Sequence, residues 1–329
     1  MSGPDAVIAA QFEAGNQRGL ARAISRAEAG LGAGLMHRFY PRTGRAMTIG
    51  LTGPPGVGKS TLCAALVAAA RREGKTVGVV SVDPSSPFSH GAILGDRIRL
   101  TEHYTDAGVF IRSMASRGHL GGLAGATGDA VAFMDAFGKD VIVIETVGVG
   151  QSEIEIAELA DTTLVVLQPG TGDSIQLLKA GILEVADIFV VNKADHPMAL
   201  QLQREIRGMM EMLAFTGWVP ELVATKAREN VGIAELWAAI ARHAAYLRTS
   251  GELERKRRAA FAHRVRALVM GELAQRANTR IAALVDGGQS GMDPYRAAAG
   301  LVEDLEAAWP HAPAVPEPAT HVRATVKGL

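Results

Sequence analysis

The chain has 329 residues, 48% of them hydrophobic, and its 34 basic and 34 acidic side chains cancel to zero net charge at pH 7. That length is enough for one large α/β domain, alone or with helical additions, and the balanced charge gives no global attraction to nucleic acid or an anionic membrane. No apolar run reaches the roughly 18 residues that span a bilayer, and Asp5 and Glu13 stand where a targeting peptide is basic and acid-poor, so the sequence reads as cytosolic.

Residues 1–45 carry Val7, Ile8, Phe12, Leu20, Ile24, Leu31 and Leu35 at mostly helical spacings, broken by Gly15 and by the stretch from Gly30 to Gly34, and predict an N-terminal helical arm. From 46 to 247 apolar runs alternate with helical patterns, which implies βαβ units and a mainly parallel sheet flanked by helices. Strands are expected at 46–52, 77–82, 108–112, 140–145, 163–168, 187–192 and 220–224. Open sheets of this kind bind ligands beyond the carboxyl ends of their strands, so chemistry is sought in the loops there.

The first such loop reads Gly53-Pro54-Pro55-Gly56-Val57-Gly58-Lys59-Ser60-Thr61 and satisfies the G-x-x-x-x-G-K-[ST] phosphate loop between a strand and a helix. Glycines let successive backbone N–H groups turn toward a phosphate, the following helix points its positive end at the same anion, Lys59 adds a charge, and the Ser60 hydroxyl suits Mg2+. The single cysteine, Cys63, falls in that helix and can form no internal disulfide. The nine histidines are scattered without metal-ligand spacing.

Asp83 ends the second strand, placed to hold Mg2+ directly or through water or else to form an ordinary Asp-Pro turn. Asp96 follows Gly95 and reads either as a second acid of that site or as a helix cap. Glu145 tips the fourth strand and is followed by Gly148, whose N–H suits a γ-phosphate, so the stretch is similar to the D-x-x-G switch with Glu in place of Asp. Gln151 lies three residues past that glycine, either positioning the attacking water or serving as a plain polar loop residue. After the fifth strand come Asp173 and an amphipathic stretch in which Lys179, taken alone, is a solvated helix residue.

The sixth strand ends in Asn192-Lys193-Ala194-Asp195, an N-K-x-D string. A carboxylate accepts two hydrogen bonds from the N1–H and exocyclic amine of guanine, a donor pair adenine lacks, so Asp195 selects GTP over ATP. Thr225-Lys226-Ala227 ends the next strand, where an S-A-K-like loop touches the guanine carbonyl; Lys226 stands where Ser is usual.

Beyond 247 the composition shifts. Residues 252–285 place Phe261, Val265, Leu268, Val269 and Ile281 at helical spacings, with Arg255, Lys256, Arg257, Arg258, Arg264 and Arg266 read as a solvated basic face. Asp293-Pro294 starts a second helix with Tyr295, Leu301, Val302, Leu305 and Trp309 inward. Residues 248–310 thus form a helical region for dimerisation or for packing back on the same domain, and the proline-rich stretch 311–329 is a tail.

With these motifs assembled, the chain resembles the MeaB/ArgK/MMAA family of P-loop GTPases over about 300 residues. The resemblance rests on Gly53 to Ser60, Val82-Asp-Pro-Ser-Ser86, Gly95-Asp-Arg-Ile-Arg99, Glu145-Thr-Val-Gly-Val-Gly-Gln-Ser152 and Asn192 to Asp195. It implies a P-loop NTPase fold of the SIMIBI/G3E type and a homodimeric, Mg2+-dependent GTPase that converts GTP to GDP slowly unless a partner stimulates it. The implied partner is the adenosylcobalamin-dependent methylmalonyl-CoA mutase, whose cofactor delivery by the adenosyltransferase it gates and which it guards from inactivation. Asp83, Asp96 and Glu145 match acids of the Mg2+ and switch network, and residues 171–184, with Asp173 and Lys179, match a switch segment that signals to the mutase. Two rivals stand beside this reading: a nickel-type metallochaperone GTPase, which calls for Cys or His clusters, and an ATP-dependent kinase or transport ATPase.

Overall fold

The computed structural model describes residues 3–84, 103, 105–116, 124–146, 152–171, 184–213, 215–287 and 293–307. Its centre is a seven-stranded sheet of β1 (Met47–Thr52), β2 (Val77–Pro84), β3 (Val109–Ser116), β4 (Val141–Thr146), β5 (Thr162–Leu167), β6 (Ile188–Asn192) and β7 (Glu221–Thr225). The spatial order is β3-β2-β4-β1-β5-β6-β7 and every pairing is parallel. The strands fall where the apolar runs place them, except that β3 continues to Ser116, past its predicted end at 112. β4 and β5 are buried along their whole length, which is why they read as continuous apolar runs instead of alternating ones.

Helices cover both faces. Ile49, Leu51, Val77, Val79, Val141, Val143, Leu164 and Val166 point to one side, where Leu62, Leu66 and Val67 of α4 (Lys59–Arg72) and Leu236, Ala239 and Ile240 of α8 (Ile233–Ser250) complete a core. On the other side lie α5 (Ala124–Phe137) and α6 (Ser152–Leu159). At Gly50 on β1 an added Cβ would stand 3.0 Å from both Ala160 and Ile156, so the glycine allows α6 to approach the central strand.

The N-terminal helices α1 (Gly3–Glu13), α2 (Gln17–Glu28) and α3 (Ala33–Phe39) do not project as an arm. Ile8, Phe12, Leu20, Ile24, Leu35 and Phe39 belong to the same buried cluster as Phe133, Ile142 and Ile144. Phe12 stacks on Phe39 at 4.1 Å and meets Phe137 edge-on at 5.1 Å. The chain then enters β1 through residues 44–46, whose three amides donate to the Asp135 carboxylate. These contacts fix the start of the strand whose far end carries the phosphate loop.

Between the sheet and the C-terminal region lie α7 (Ala199–Glu211), against β6, and the 35-residue α9 (Glu252–Asp286). The basic face expected on α9 is only partly solvated. Lys256 reaches the Asp161 carbonyl and Asp187 Oδ2, both at 2.9 Å, and Arg257 reaches the Asp161 carboxylate and the Gly44 and Ala46 carbonyls. Arg264 pairs with Asp129 and the Gly128 carbonyl, whereas Arg255, Arg258 and Arg266 stay exposed. The acids that anchor this face sit at the roots of β5 and β6 and on α5.

The chain divides after Leu268 into two compact units. The second holds the rest of α9 and α10 (Pro294–Ala307), joined by an Arg280–Asp304 ion pair. Tyr295 and Val302, expected inward, are exposed to solvent among the described residues. Among the described residues no helix is long and apolar enough to cross a membrane.

Burial pushes the Asp187 carboxyl up, but the His243 hydrogen bond, the Lys256 charge and the Thr163 amide outweigh it and hold the group below its ordinary value. A carboxyl depressed in the folded state stabilises above its unfolded pKa, about 3.9, and loses that contribution as pH falls through the folded value. The difference in unfolding free energy between the wild type and Asp187→Asn is therefore expected to be full at neutral pH and to shrink below about pH 4, read by urea titration at each pH. Phe39→Ala should cost about 3–5 kcal/mol in the same assay, since its ring is fully enclosed by α1 and α5.

Candidate nucleotide site

β1 delivers the chain into a loop with three left-handed glycines, Gly53 at φ +140°, Gly56 at +78° and Gly58 at +94°. Two of them are also sterically required. A Cβ on Gly53 would lie 2.1 Å from the Val166 carbonyl oxygen, and one on Gly58 would lie 2.6 Å from Asn192 Nδ2. The loop therefore fits against β5 and β6 only as glycine. α4 starts at Lys59, so the free N–H groups and positive end of a 14-residue helix close the loop.

Lys59 is buried and its ammonium donates to the Gly53 and Pro54 carbonyls at 2.6 and 2.9 Å. It is held inside the cradle it is expected to serve. Ser60 Oγ donates to Glu145 Oε1 at 2.6 Å, with both residues buried. This joins the first turn of α4 to the tip of β4, which lies beside β1 in the register Leu51–Glu145. Burial, and after it the charge of Glu145, push the Cys63 thiol well up, so this cysteine is an inert packing residue behind the loop. On β2 the register pairs Ser81 with Glu145 and Val82 with Thr146, so the backbone of Asp83 is one position further toward the same edge.

The N-K-x-D string forms the other end of the site. Asn192 is 3% exposed and ties three segments together: its Nδ2 donates to the Val57 carbonyl at 2.8 Å, and its Oδ1 accepts from Thr225 Oγ1 and the Ala227 amide, each at 3.1 Å. Lys193 turns through φ +56°, uncommon for a residue with a side chain, and its ammonium donates to the Gly56 carbonyl at 2.9 Å and to Gln168 Oε1. Asp195 is exposed at the rim, in a loop fixed by the Ala194 amide to the Thr225 carbonyl at 3.0 Å.

The fold thus brings 53–61, Glu145, Asn192, Lys193, Asp195, Lys226 and Ala227 to the carboxyl ends of β1, β4, β6 and β7. The amides of Lys226 and Ala227 already have acceptors, the Val231 carbonyl and Asn192 Oδ1, and the Lys226 ammonium pairs with Glu229 at 3.5 Å. A guanine carbonyl would have to compete for either amide. The side chain of Asp83, and Asp96, Gly148, Gln151, Asp173 and Lys179 entirely, lie outside the described residues. The sequence pattern does not single out Val166 or Gln168, and it offers Thr225 only as the start of the loop after β7. Gln168 carried a signal, being a polar residue between buried Leu167 and Pro169 at a strand exit.

A parallel sheet with a phosphate loop after its central strand and an N-K-x-D loop two strands away defines a P-loop NTPase of the guanine-nucleotide kind. A sequence model of the family described as "Methylmalonyl Co-A mutase-associated GTPase MeaB" matches residues 20–282. Among curated proteins, a putative GTPase of Pyrococcus abyssi is 46% identical over 82% of this chain and 87% of its own length. GTPase ArgK of Escherichia coli is 38% identical over 68% and 69%, and the mouse mitochondrial methylmalonic aciduria type A homolog is 37% identical over 64% and 52%. A solved structure described as a LAO/AO transport system kinase superposes with TM-score 0.66 and 26% identity, covering 93% of this chain and 99% of that one. The chain belongs to the MeaB/ArgK/MMAA family and is a GTPase.

Asn192→Ala removes the partner of three buried groups, the Val57 carbonyl, the Thr225 hydroxyl and the Ala227 amide, and the tie between three segments. Each buried polar group left unpartnered costs about 1–3 kcal/mol, so GDP affinity should fall about tenfold to a hundredfold, measured by titration with a fluorescent GDP analogue.

Proposed function

We propose that this GTPase is a conformational switch that serves an adenosylcobalamin-dependent acyl-CoA mutase of the methylmalonyl-CoA mutase type, gating cofactor loading by the adenosyltransferase and guarding the loaded enzyme. The observation that carries the nucleotide half of this reading is the Asn192 junction, which joins the phosphate loop to the base-reading loop. The partner half rests on the family, whose description is mutase-associated, and on the mouse relative.

In this reading the amides of 56–61 donate to the β- and γ-phosphate oxygens, and Lys59 transfers its ammonium from the Gly53 and Pro54 carbonyls to the same oxygens. Asp195 accepts from guanine N1–H and the exocyclic amine. Gly148 reports the γ-phosphate through its N–H, and Gln151, Asp173 and Lys179 pass that state to the partner. The donor chemistry at Ser60 and Glu145, a hydroxyl and a carboxylate 2.6 Å apart beside a helix N-terminus, suits a hard divalent cation. Ser60 and Glu145, with Asp83 and Asp96, would hold Mg2+. When bound there, Mg2+ supplies neutralisation of charge on the transferring phosphoryl group.

The uncovered apolar positions on α9 and α10, Phe261, Val265, Leu268, Met270, Ile281, Tyr295 and Val302, support a homodimer. Slow turnover that a partner accelerates by ordering the switch segments is what the family resemblance implies for this site.

Asp195→Asn separates this reading from an ATP-dependent kinase or transport ATPase. It is expected to weaken GTP binding and leave ATP binding unchanged; unaltered GTP affinity would contradict the base assignment. Phosphate release by the purified protein should be slow and rise on addition of the mutase, and fast release indifferent to the mutase would remove the switch.

A further inference from the structure

The loop after β6 touches the loop after β5 at two points. Lys193 donates to Gln168 Oε1, and the His196 ring covers Gly170, where an added Cβ would lie 3.1 Å from His196 Cε1. Gly170 has φ +80°, so the turn that exposes its backbone to His196 suits glycine. The same Lys193 ammonium also holds the Gly56 carbonyl at the top of the phosphate loop. Its backbone is in the left-handed region, a conformation that persists where surrounding contacts fix it.

From this geometry we infer that Gln168 is a positioning residue for Lys193 and thereby governs how tightly guanine nucleotide is retained. The inference rests on the base-reading role of the 192–195 loop proposed above. An ammonium on a four-carbon stem has three donors and much rotational freedom. With the Gly56 carbonyl alone it swings about one contact. A second, neutral acceptor at the exit of β5 fixes it without cancelling its charge, so Lys193 spans three loops in one orientation. The span between phosphate cradle and base reader is then set from β5 as well as from β6. Gln168 is also the residue from which the chain leaves β5 for 169–171, so anything that displaces that connection loosens Lys193 and hastens nucleotide release.

The test is the dissociation of methylanthraniloyl-GDP from the full-length protein in Mg2+ buffer, chased with excess unlabelled GDP. Gln168→Ala should speed release about twofold to fivefold, the loss of a charge-assisted but solvent-exposed hydrogen bond. Gln168→Glu keeps an acceptor and should release at the wild-type rate or more slowly. In a Lys193→Ala background, Gln168→Ala should add less than it does alone, because the effect that runs through that ammonium is already lost. A residue that only stabilises the fold would lower the thermal midpoint and speed release in both backgrounds. Wild-type release from Gln168→Ala, faster release from Gln168→Glu, or multiplying effects in the double variant would overturn the inference. A wild-type protein that fails to retain labelled GDP would overturn the base-reading assignment itself, and the positioning role with it.

Discussion

An asparagine amide in a dry site must find partners for an acceptor oxygen and a donor nitrogen, and Asn192 finds them on two segments that are distant in sequence from its own. Val57 lies 135 residues before it, and Thr225 and Ala227 lie 33 and 35 after. Buried polar groups of this kind are costly when half satisfied and rigidifying when complete. The phosphate loop, the end of β6 and the turn after β7 therefore move as one body or not at all.

Much of the local sequence follows from that junction. Gly58 has no side chain because Asn192 Nδ2 occupies the space, and Gly53 has none because the backbone of β5 does. Thr225 supplies a hydroxyl where an apolar strand residue would leave Oδ1 short of a donor. The Ala227 amide donates to the junction, so a guanine carbonyl reaching for it would compete with Asn192 Oδ1. At the other end, the Ser60–Glu145 pair brings hydroxyl and carboxylate oxygens together behind the loop, and the Lys59 ammonium rests on carbonyls it can exchange for phosphate oxygens at little cost in charge solvation.

The fold was legible because the central strands β1, β4, β5 and β6 are buried on both faces and read as apolar runs between helical patterns. The phosphate and N-K-x-D loops were legible because their chemistry fixes residue type as well as spacing. What the pattern could not give was partnership across the chain. Periodicity marks the apolar faces of Ile8, Phe12 and Ile24 but not that α5 and the sheet cover them, so they read as an arm. Lys256, Arg257 and Arg264 look like a solvated charge run until Asp187, Asp161 and Asp129, which lie 69, 96 and 135 residues away, are brought beside them. Tyr295 and Val302 were assigned inward from spacing alone, and spacing does not say whether the covering surface belongs to the same chain.

The geometry points to a guanine-nucleotide cradle built before the nucleotide arrives, with its lysine stored on the loop's own carbonyls. A crystal structure of the protein with GDP and Mg2+ tests it most directly. The Asn192 junction is expected unchanged, with the diphosphate against the amides of 56–61, the Lys59 ammonium moved from the Gly53 and Pro54 carbonyls to the β-phosphate, and the base against Asp195. A nucleotide bound with Lys59 still on those carbonyls, or with its base away from Asp195, would contradict it.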